Sequence, residues 1–553
     1  MKMDTQRLIL LFIFSFSLLM LWEAWNKQGR PTTPAPAAPS AQQGVPAPKP
    51  AAPEAASKPA ASTVPGAEAS AKGETIRVTT DLVVAELDTL GATLKRVELL
   101  QHKDSRDPTK PFVLLGAEHQ YEAQSGLAGD AGPNHRSLWR VQQGERSLAP
   151  GRDAVEVKFS ASGKDGLEVT KTYTFKRDSY VIDVALELRN AGAAAASTYA
   201  YFQLTHDGKP DTPTNSVAST FGAQSFIGFG VYTDEHKYQK VHLSDLDKGK
   251  SDLHVKQADN GWLAFVQHYF VSAWLPPEAA PRDYVTEKRP DGTYAGRLMF
   301  PASVAPGASA RVSAPLYAGP QEQRRLRAAA PGLDLVVDYG WLAIIAWPLF
   351  WLLQQYHSLS ANWGVAIILL TVTIKLLFFP LSAASYKSMA KMKLVTPRLT
   401  KIREQYAHDR QKMNQAMMEL YKTEKINPLG GCFPIVVQIP VFIALYWVLL
   451  AAIELRHAPF VLWIHDLAAL DPYYVLPILM TATMVLQTRM NPVPPDPVQA
   501  RVMKFMPFVF SIFFFFFPAG LVLYWLVNNI LSILQQWQIQ RMFDRDKPAH
   551  AKR

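Results

Sequence analysis

The sequence predicts an α+β membrane protein in which a polytopic α-helical core of six transmembrane helices carries a large extracytoplasmic antiparallel β-sandwich. Long apolar segments lie in the second half of the chain, and period-two alternation fills much of the first half. The mean hydropathy of −0.03 would suit a soluble protein, but it averages a polar half and a very apolar half. With a single cysteine, Cys432, the chain has neither a disulfide framework nor a Cys-rich metal site.

Residues 1–28 are predicted to form an uncleaved signal anchor. A basic start precedes an apolar run that extends from Leu8 to Trp25. A cleaved signal peptide is the alternative, but Trp22 and Trp25 stand where small cleavage-site residues are expected. Tryptophan at the end of such a run suits a membrane interface. We therefore expect an anchor helix with the N-terminus in the cytoplasm.

A flexible linker at 29–74 separates this anchor from a folded β domain at 75–330. Residues 31–74 contain 10 Pro and 14 Ala among 44 positions and no aromatic residue, so they bury too little apolar surface to fold. From residue 75 onward, apolar and polar residues alternate in short runs between turn signals, which is typical of an antiparallel sandwich. The clearest runs are Val155, Val157 and Phe159; Leu167, Val169, Tyr173 and Phe175; and Tyr180, Ile182, Val184, Leu186 and Leu188.

The charge pattern determines the predicted topology of the second half. Residues 386–428 hold 10 Lys/Arg and 4 Asp/Glu, so +6 of the chain's net charge of +10 falls there. Basic loops stay in the cytoplasm. If the apolar segment within 331–360 crossed the membrane, this basic loop would lie outside. We therefore expect 331–360 to form an amphipathic helix on the outer surface, and Pro348 interrupts its apolar segment.

Five spans are expected to follow the outer helix within a core at 361–540. A basic tail at 541–553 then lies inside, so both termini are cytoplasmic and the β domain at 75–330 is outside. The expected spans are 363–385, 431–453, 473–488, 505–517 and 519–537.

Lys375 is the strongest functional signal because it lies inside a predicted span. About 18 Å of helix separates it from the cytoplasmic Lys387. A cation at that depth costs at least ~3 kcal/mol. Snorkelling and a buried ion pair are the alternatives, but the depth makes snorkelling awkward, and acidic residues occur only at the outer ends of the spans. The favoured interpretation is a cation held in a water-filled cavity.

Polar side chains recur at helical spacing in the first and last core spans, and a third span adds an amide. Residues three, four or seven apart share one face of a helix. Polar residues that merely join helices are the alternative. Two aligned stripes together with a lone cation favour a hydrophilic groove among the helices. The expected groove residues are Lys375, Thr371, Ser382, Gln438, Tyr524, Trp525, Asn528 and Ser532.

The basic loop at 386–428 is predicted to form a hairpin of two amphipathic helices that turns near His408. Its basic faces could bind anionic lipid or ribosomal RNA, and its Met-rich faces could adapt to varied apolar partners. A merely solvated charged loop is the alternative. The residues expected to carry these roles are Lys391, Lys393, Arg398, Lys401, Arg403, Met413 and Met417.

The sequence shows no catalytic or cofactor motif. We find no P-loop, GxSxG or GxGxxG pattern, so we expect no catalytic residue and no cofactor. Four residues of metal-ligating types occur near the outer end of a span, but they lack HExxH-type spacing, and no metal site is expected. These residues are Glu454, His457, His465 and Asp466.

Several runs of residues resemble the YidC/Oxa/Alb family of membrane protein insertases. They cover most of 360–540, and runs of this length are highly specific. The anchor, the Pro/Ala-rich linker and the large β domain also resemble the Gram-negative form of that family. The runs are Asn427–Pro434, Glu454–Arg456 continuing to Trp463–Leu467, Asp471–Tyr474 and Phe517–Tyr524.

The resemblance implies a five-helix insertase core in the bacterial inner membrane and a periplasmic β-supersandwich similar to sugar mutarotases. It implies that Lys375 is the groove cation, at a position where many Gram-negative members have Arg. Thr371 and Trp525 match contact positions of the family. A groove open to the cytoplasm would receive the short polar segment of an incoming protein, and Lys375 would attract its acidic residues. Since nothing is hydrolysed, the resemblance does not imply an enzyme.

The resemblance further implies an insertase and chaperone that inserts and folds nascent inner-membrane proteins, alone or with the Sec translocon (SecYEG, SecDF). The ribosome, the signal recognition particle pathway and the phospholipid bilayer are the other implied partners. Two other classes stay open. A polytopic small-solute transporter would need a closed midplane site and usually internal repeats, and we see no repeat. An envelope enzyme would need a convergent acid–base site on the β domain.

Overall fold

The computed structural model describes eight stretches of the chain: 73–129, 132–210, 226–250, 253–277, 279–406, 408–424, 433–491 and 497–545. The predicted anchor at 1–28, nearly all of the linker at 29–74 and most of the tail at 541–553 lie outside the described residues. By its contacts the chain divides into two units, Met1–Ala60 with Pro494–Lys504, and Ala61–Val493 with Phe505–Arg553. Of the first unit only 497–504 is described.

The β domain is built from nineteen strands within the described residues. The strands are β1 (Thr75–Thr79), β2 (Val83–Asp88), β3 (Thr93–Lys103), β4 (Pro111–Leu115), β5 (Glu122–Leu127), β6 (Arg140–Val141), β7 (Ala154–Ser162), β8 (Leu167–Lys176), β9 (Val181–Asn190), β10 (Ala196–His206), β11 (Gly228–Thr233), β12 (Lys237–His242), β13 (Gln257–Ala258), β14 (Trp262–Val266), β15 (Phe270–Trp274), β16 (Arg282–Lys288), β17 (Tyr294–Val304), β18 (Ser309–Ser313) and β19 (Leu316–Pro320).

These strands form two antiparallel sheets. One follows the order β1-β2-β3-β5-β10-β17-β16-β13, with β4 on β3, and the other follows β12-β11-β14-β15-β19-β9-β8-β7-β6, with β18 on β9. The alternating apolar residues face the core between the sheets, as in β7, where Val155, Val157 and Phe159 are at most 4% exposed. The predicted antiparallel sandwich is therefore confirmed for the β domain.

A buried lysine joins the two sheets of the β domain. Lys171 lies on β8 and its side chain is 0% exposed. Its ammonium donates hydrogen bonds to the carbonyl oxygens of Gly91 and Ser125, each at 2.7 Å, and of Ala92 at 3.3 Å. It also lies 4.7 Å from the centre of the Trp139 ring. Burial lowers the pKa of Lys171, but three carbonyl acceptors and an aromatic face compensate for the lost water.

Ten α-helices accompany the strands in the described part of the chain. They are α1 (Leu243–Asp247), α2 (Gln323–Ala329), α3 (Ala343–Ser360), α4 (Trp363–Leu377), α5 (Phe379–Gln405), α6 (Arg410–Thr423), α7 (Phe433–Ala451), α8 (Val475–Met490), α9 (Pro497–Phe514) and α10 (Ala519–Arg545).

The first predicted core span, 363–385, is broken rather than straight. Helices α4 and α5 meet at Phe378 with a bend of 65° between Trp363–Leu377 and Phe379–Met392. Pro380 stands in the first turn of α5, where its ring is tolerated but prevents α4 from continuing. None of the described helices is long and apolar enough by itself to cross a bilayer, and this bent pair meets the length and hydropathy criteria only when its two helices are taken together. The six spans accordingly stay a prediction.

The helix α3 occupies most of the segment that we expected on the outer surface. It packs on α4 and α7 through Ala346, Phe350 and Leu353. Its opposite side is also apolar, since Ile344 is 82% and Trp351 61% exposed. Its placement at a membrane interface stays a prediction, but an exposed apolar face is what lipid contact requires.

The β domain docks against the loop that follows α7. The guanidinium of Arg456 donates a hydrogen bond to the hydroxyl of Ser105 at 2.9 Å and lies 5.3 Å from the centre of the Phe112 ring. The His268 ring lies 3.0 Å from the carbonyl oxygen of Leu450. Polar and cation–π contacts thus connect the sandwich to the helical region.

Replacing Lys171 with Met should lower the free energy of unfolding by about 3 kcal/mol, because three carbonyls lose their donor at about 1 kcal/mol each. Chemical denaturation followed by tryptophan fluorescence of the full-length protein measures this loss. Lys158→Met on the neighbouring strand β7 is the matched control, since Lys158 is half exposed and paired only with Glu156. Equal stability of the two variants would show that Lys171 does not hold the sheets together.

Candidate functional site

A polar cavity of about 340 Å³ lies among α4, α5, α7, α8 and α10. Most of its lining side chains carry an amide or a hydroxyl group, one carries an ammonium, and none of those that the structure describes is a carboxylate. The lining residues are Lys375, Ser382, Ser385, Tyr386, Met389, Gln438, Ile439, Phe442, Gln487, Asn491, Asn528, Asn529 and Ser532.

Among the described residues of this lining, Lys375 is the only one that carries a formal charge. The side chain is 6% exposed and comes from the last turn of α4, just before the bend at Phe378. Its Nζ donates a hydrogen bond to the hydroxyl of Ser532 at 2.7 Å. Since a hydroxyl carries no charge, the ammonium is held but not neutralised by its neighbours in the described residues.

Helix α10 connects the polar groups of several helices. The Gln438 amide of α7 donates to Asn528 Oδ1 at 3.2 Å. On the other side of α10, the Asn529 amide donates to the hydroxyl of Thr483 on α8 at 2.9 Å. The hydroxyl of Ser532 itself donates to the Asn528 carbonyl at 2.7 Å, which leaves its lone pair facing Lys375. Such contacts hold helices together where the hydrophobic effect contributes little.

An aromatic cluster borders the cavity toward the start of α10. The Trp525 ring stacks on Phe442 with ring centres 5.4 Å apart, and it also packs against Phe514 and Phe517. Tyr524 is 1% exposed and 6.2 Å from Phe442. The two predicted aromatic residues therefore lie beside the cavity, with Phe442 between them and its polar lining, and neither lines it directly.

Five of the eight predicted groove residues line the cavity, and Thr371 does not. Its side chain is 1% exposed, and its hydroxyl donates to the Ile367 carbonyl of its own helix at 2.6 Å. A buried threonine with this bond needs no other partner. The five are Lys375, Ser382, Gln438, Asn528 and Ser532.

The sequence prediction missed several lining residues. Ser385, Tyr386 and Met389 reach the cavity because α5 bends away from α4. Gln487 and Asn491 stand at i, i+4 near the end of α8, a polar pair that could have been noticed.

The predicted hairpin residues lie on α5 and α6. Arg398 and Lys401 are exposed, Lys391, Arg403, Met413 and Met417 are half-buried, and Lys393 lies on α5. The Arg398 guanidinium pairs with Glu424 at 2.5 Å and so links α5 to the end of α6. Val395 and Leu399 are buried, which fits an amphipathic helix whose apolar stripe faces inward.

The described residues contain no convincing metal site. Of the four residues noted in the sequence, His457 and Asp466 lie together, with 3.1 Å between His457 Nδ1 and an Asp466 carboxylate oxygen. A separate group in the β domain combines His119, His206 and Asp207. The Nδ1 atom of His206 already accepts a hydrogen bond from the backbone N–H of Gly208 at 2.8 Å, so its lone pair is in use.

The fold and the cavity together define a class of protein in which apolar helices enclose a polar, cationic site and carry a separate β domain. Residues 75–352 match the description "YidC periplasmic domain", and residues 355–547 match "60Kd inner membrane protein". The chain belongs to the YidC family of membrane protein insertases.

Relatives that carry the name "Membrane protein insertase YidC" align over almost the whole chain. The protein of Aromatoleum aromaticum is 51% identical and the alignment covers 99% of both chains. That of Burkholderia multivorans is 49% identical, with 99% of this chain and 100% of the relative covered. That of Nitrosomonas eutropha is 51% identical, with 98% and 90% covered.

Two solved structures are similar with low scores. A crystal structure of an active YidC insertase has a TM-score of 0.38 and 17% identity, and covers 84% of this chain and 93% of its own. A galactose mutarotase related enzyme from Lactobacillus acidophilus has a TM-score of 0.31 and 8% identity, and covers 44% of this chain and 97% of its own.

We expect the cavity to be reachable by water, because its polar lining and volume suit several water molecules. In a chain whose Cys432 is replaced by Ala, Ser382→Cys should react with a membrane-impermeant maleimide added from the cytoplasmic side. Thr371→Cys should not, since that position is buried and outside the lining. Mass spectrometry measures the labelled fraction. Equal, slow labelling at both positions would show a closed, dry site.

Proposed function

We propose that the protein inserts nascent inner-membrane proteins by receiving their polar segments in the Lys375 cavity. The observation that carries this proposal is an ammonium that is 6% exposed, bound to a neutral hydroxyl, and surrounded by amides rather than carboxylates. Keeping a charge in apolar surroundings costs several kcal/mol, so an arrangement that leaves it unneutralised is suited to an incoming anion.

The cavity supplies what a polar segment loses when it leaves water. Amide side chains both donate and accept hydrogen bonds, so Gln438, Asn528 and Asn529 can replace water around a peptide backbone. The ammonium attracts acidic side chains, and the membrane potential then drives negative charge outward. The apolar part of the client leaves along the aromatic cluster of Phe442, Tyr524 and Trp525 into lipid. No covalent step is involved.

The topology follows from this role. The cavity faces the cytoplasm, the β domain is periplasmic, and both termini are cytoplasmic in a multi-pass inner-membrane protein. The hairpin of α5 and α6 then faces the ribosome, and its exposed Arg398 and Lys401 suit RNA or anionic lipid. Docking of the β domain through Arg456 leaves its outer surface free for the Sec translocon.

The transporter alternative is less well supported. The relatives reported above carry the insertase name, and none is named a transporter or an enzyme. The cavity also borders residues of the hairpin helix α5, which suits entry of a polypeptide from one side better than an enclosed solute site.

Replacing Lys375 with Ala should slow insertion of a client with an acidic outer segment about tenfold. This corresponds to about 1.4 kcal/mol, a fraction of the ~4 kcal/mol available to two charges 4 Å apart near a protein surface. Lys375→Arg should keep most of the activity because it keeps the charge. Protease protection of the client in proteoliposomes measures insertion.

The same client with its acidic residues changed to Asn or Gln is the control, and Lys375→Ala should hardly affect it. If the Ala variant inserted both clients as well as the unchanged protein, the electrostatic step would be refuted. A similar loss for both clients would instead indicate that Lys375 only supports the packing of α4 and α10.

Neutralising Lys391, Arg398 and Lys401 to Gln together should weaken binding to ribosomes. Three lost phosphate contacts should reduce the slope of log affinity against log salt by about 2. Sedimentation at several salt concentrations measures both quantities. The double variant Glu404→Gln, Glu419→Gln is the control. It removes negative instead of positive charge from the hairpin and should therefore strengthen binding to ribosomes. If the ribosome affinity of the triple variant depended on salt as that of the unchanged protein does, the hairpin would be a solvated loop that does not contact RNA.

A further inference from the structure

A second, largely apolar groove of about 640 Å³ lies between α8 and α9. It is separate from the Lys375 cavity and shares no lining residue with it. Ile478, Phe508 and Ile512 are 53–62% exposed, so the groove is open along its length. The apolar side chains that line it include Ile478, Val485, Leu486, Phe508, Ile512 and Phe515.

The polar atoms in the groove are already satisfied by the protein. The hydroxyl of Thr481 donates to Ser511 Oγ at 2.7 Å, and that of Ser511 donates to the Pro507 carbonyl at 2.5 Å. The groove wall therefore offers a ligand mainly hydrocarbon contacts. Its occupant must be apolar along most of its length.

One end of the groove is cationic. Arg489 lies in the last turn of α8, is exposed, and has no carboxylate partner within the described residues. A guanidinium can bind a phosphate through two parallel hydrogen bonds. The groove thus combines an apolar channel with a phosphate-binding terminus.

The length of the groove matches one leaflet of a bilayer. Eleven residues separate Ile478 from Arg489, which corresponds to about 16 Å of helix. Half of a ~30 Å hydrocarbon core is ~15 Å.

We propose that this groove binds one acyl chain of an anionic phospholipid whose phosphate lies against Arg489. The chain would complete the packing between α8 and α9, because it covers the exposed faces of Phe508 and Ile512. The site does not depend on the insertase proposal, since no residue of the Lys375 cavity takes part.

In the test, the full-length protein is released from nanodiscs that contain phosphatidylglycerol or phosphatidylcholine. Native mass spectrometry then measures which lipid the released protein retains. Ala482→Phe fills the groove and should abolish the retained lipid. Arg489→Gln should keep a lipid but lose about fivefold in its preference for phosphatidylglycerol, as expected for about 1 kcal/mol per basic residue. Arg541→Gln, on the exposed end of α10, is the matched control and should behave like the unchanged protein.

Melting temperatures close to that of the unchanged protein would show that each variant folds. Retention of the same lipid by Ala482→Phe would overturn the proposal, because the lipid would then be annular. A preference for phosphatidylglycerol that survives Arg489→Gln would overturn the assignment of the phosphate. Loss of client insertion in Ala482→Phe with unchanged lipid retention would identify the groove as a client site instead.

Discussion

The helical region is organised around the buried ammonium of Lys375, which is bound by a neighbouring hydroxyl but is not neutralised by any residue that the structure describes. A charge in apolar surroundings is stable only where polar groups replace water. Helix α10 supplies these groups in two directions, because Ser532 faces Lys375 while Asn529 binds Thr483 on α8. The polar contacts of α10 therefore both fix the positions of its neighbours and create the cavity that they enclose.

Much of the site was predictable because a charge inside an apolar run is visible in sequence. Lys375 was identified in this way, whereas Ser532 and Gln438 were identified as polar residues within apolar spans, and all three line the cavity. Ser385 and Tyr386 were missed because a straight span was expected where Pro380 ends one helix and begins another. Thr371 lies outside the cavity lining, and helical spacing alone cannot distinguish a groove hydroxyl from one that is bonded to its own backbone.

In the β domain too, local sequence patterns predict the strands but not which strands pair. Alternation predicted the strands, but it does not encode that β10 lies between β5 and β17. Lys171 lies between the inward-facing Val169 and Tyr173, two residues from each, yet its charge would favour the surface. The carbonyls of Gly91, Ala92 and Ser125, which are distant in sequence, make the inward position acceptable together with the Trp139 ring.

Helix α5 gives the molecule a mechanical property. Its 27 residues extend over about 40 Å, from the bend beside Phe378 past the internal Pro397 into the hairpin. A rotation of roughly 10° about that bend displaces the far end by ~7 Å but Tyr386 by less than ~2 Å. A large displacement at the far end of α5 would therefore correspond to a much smaller displacement of the side chains that line the cavity.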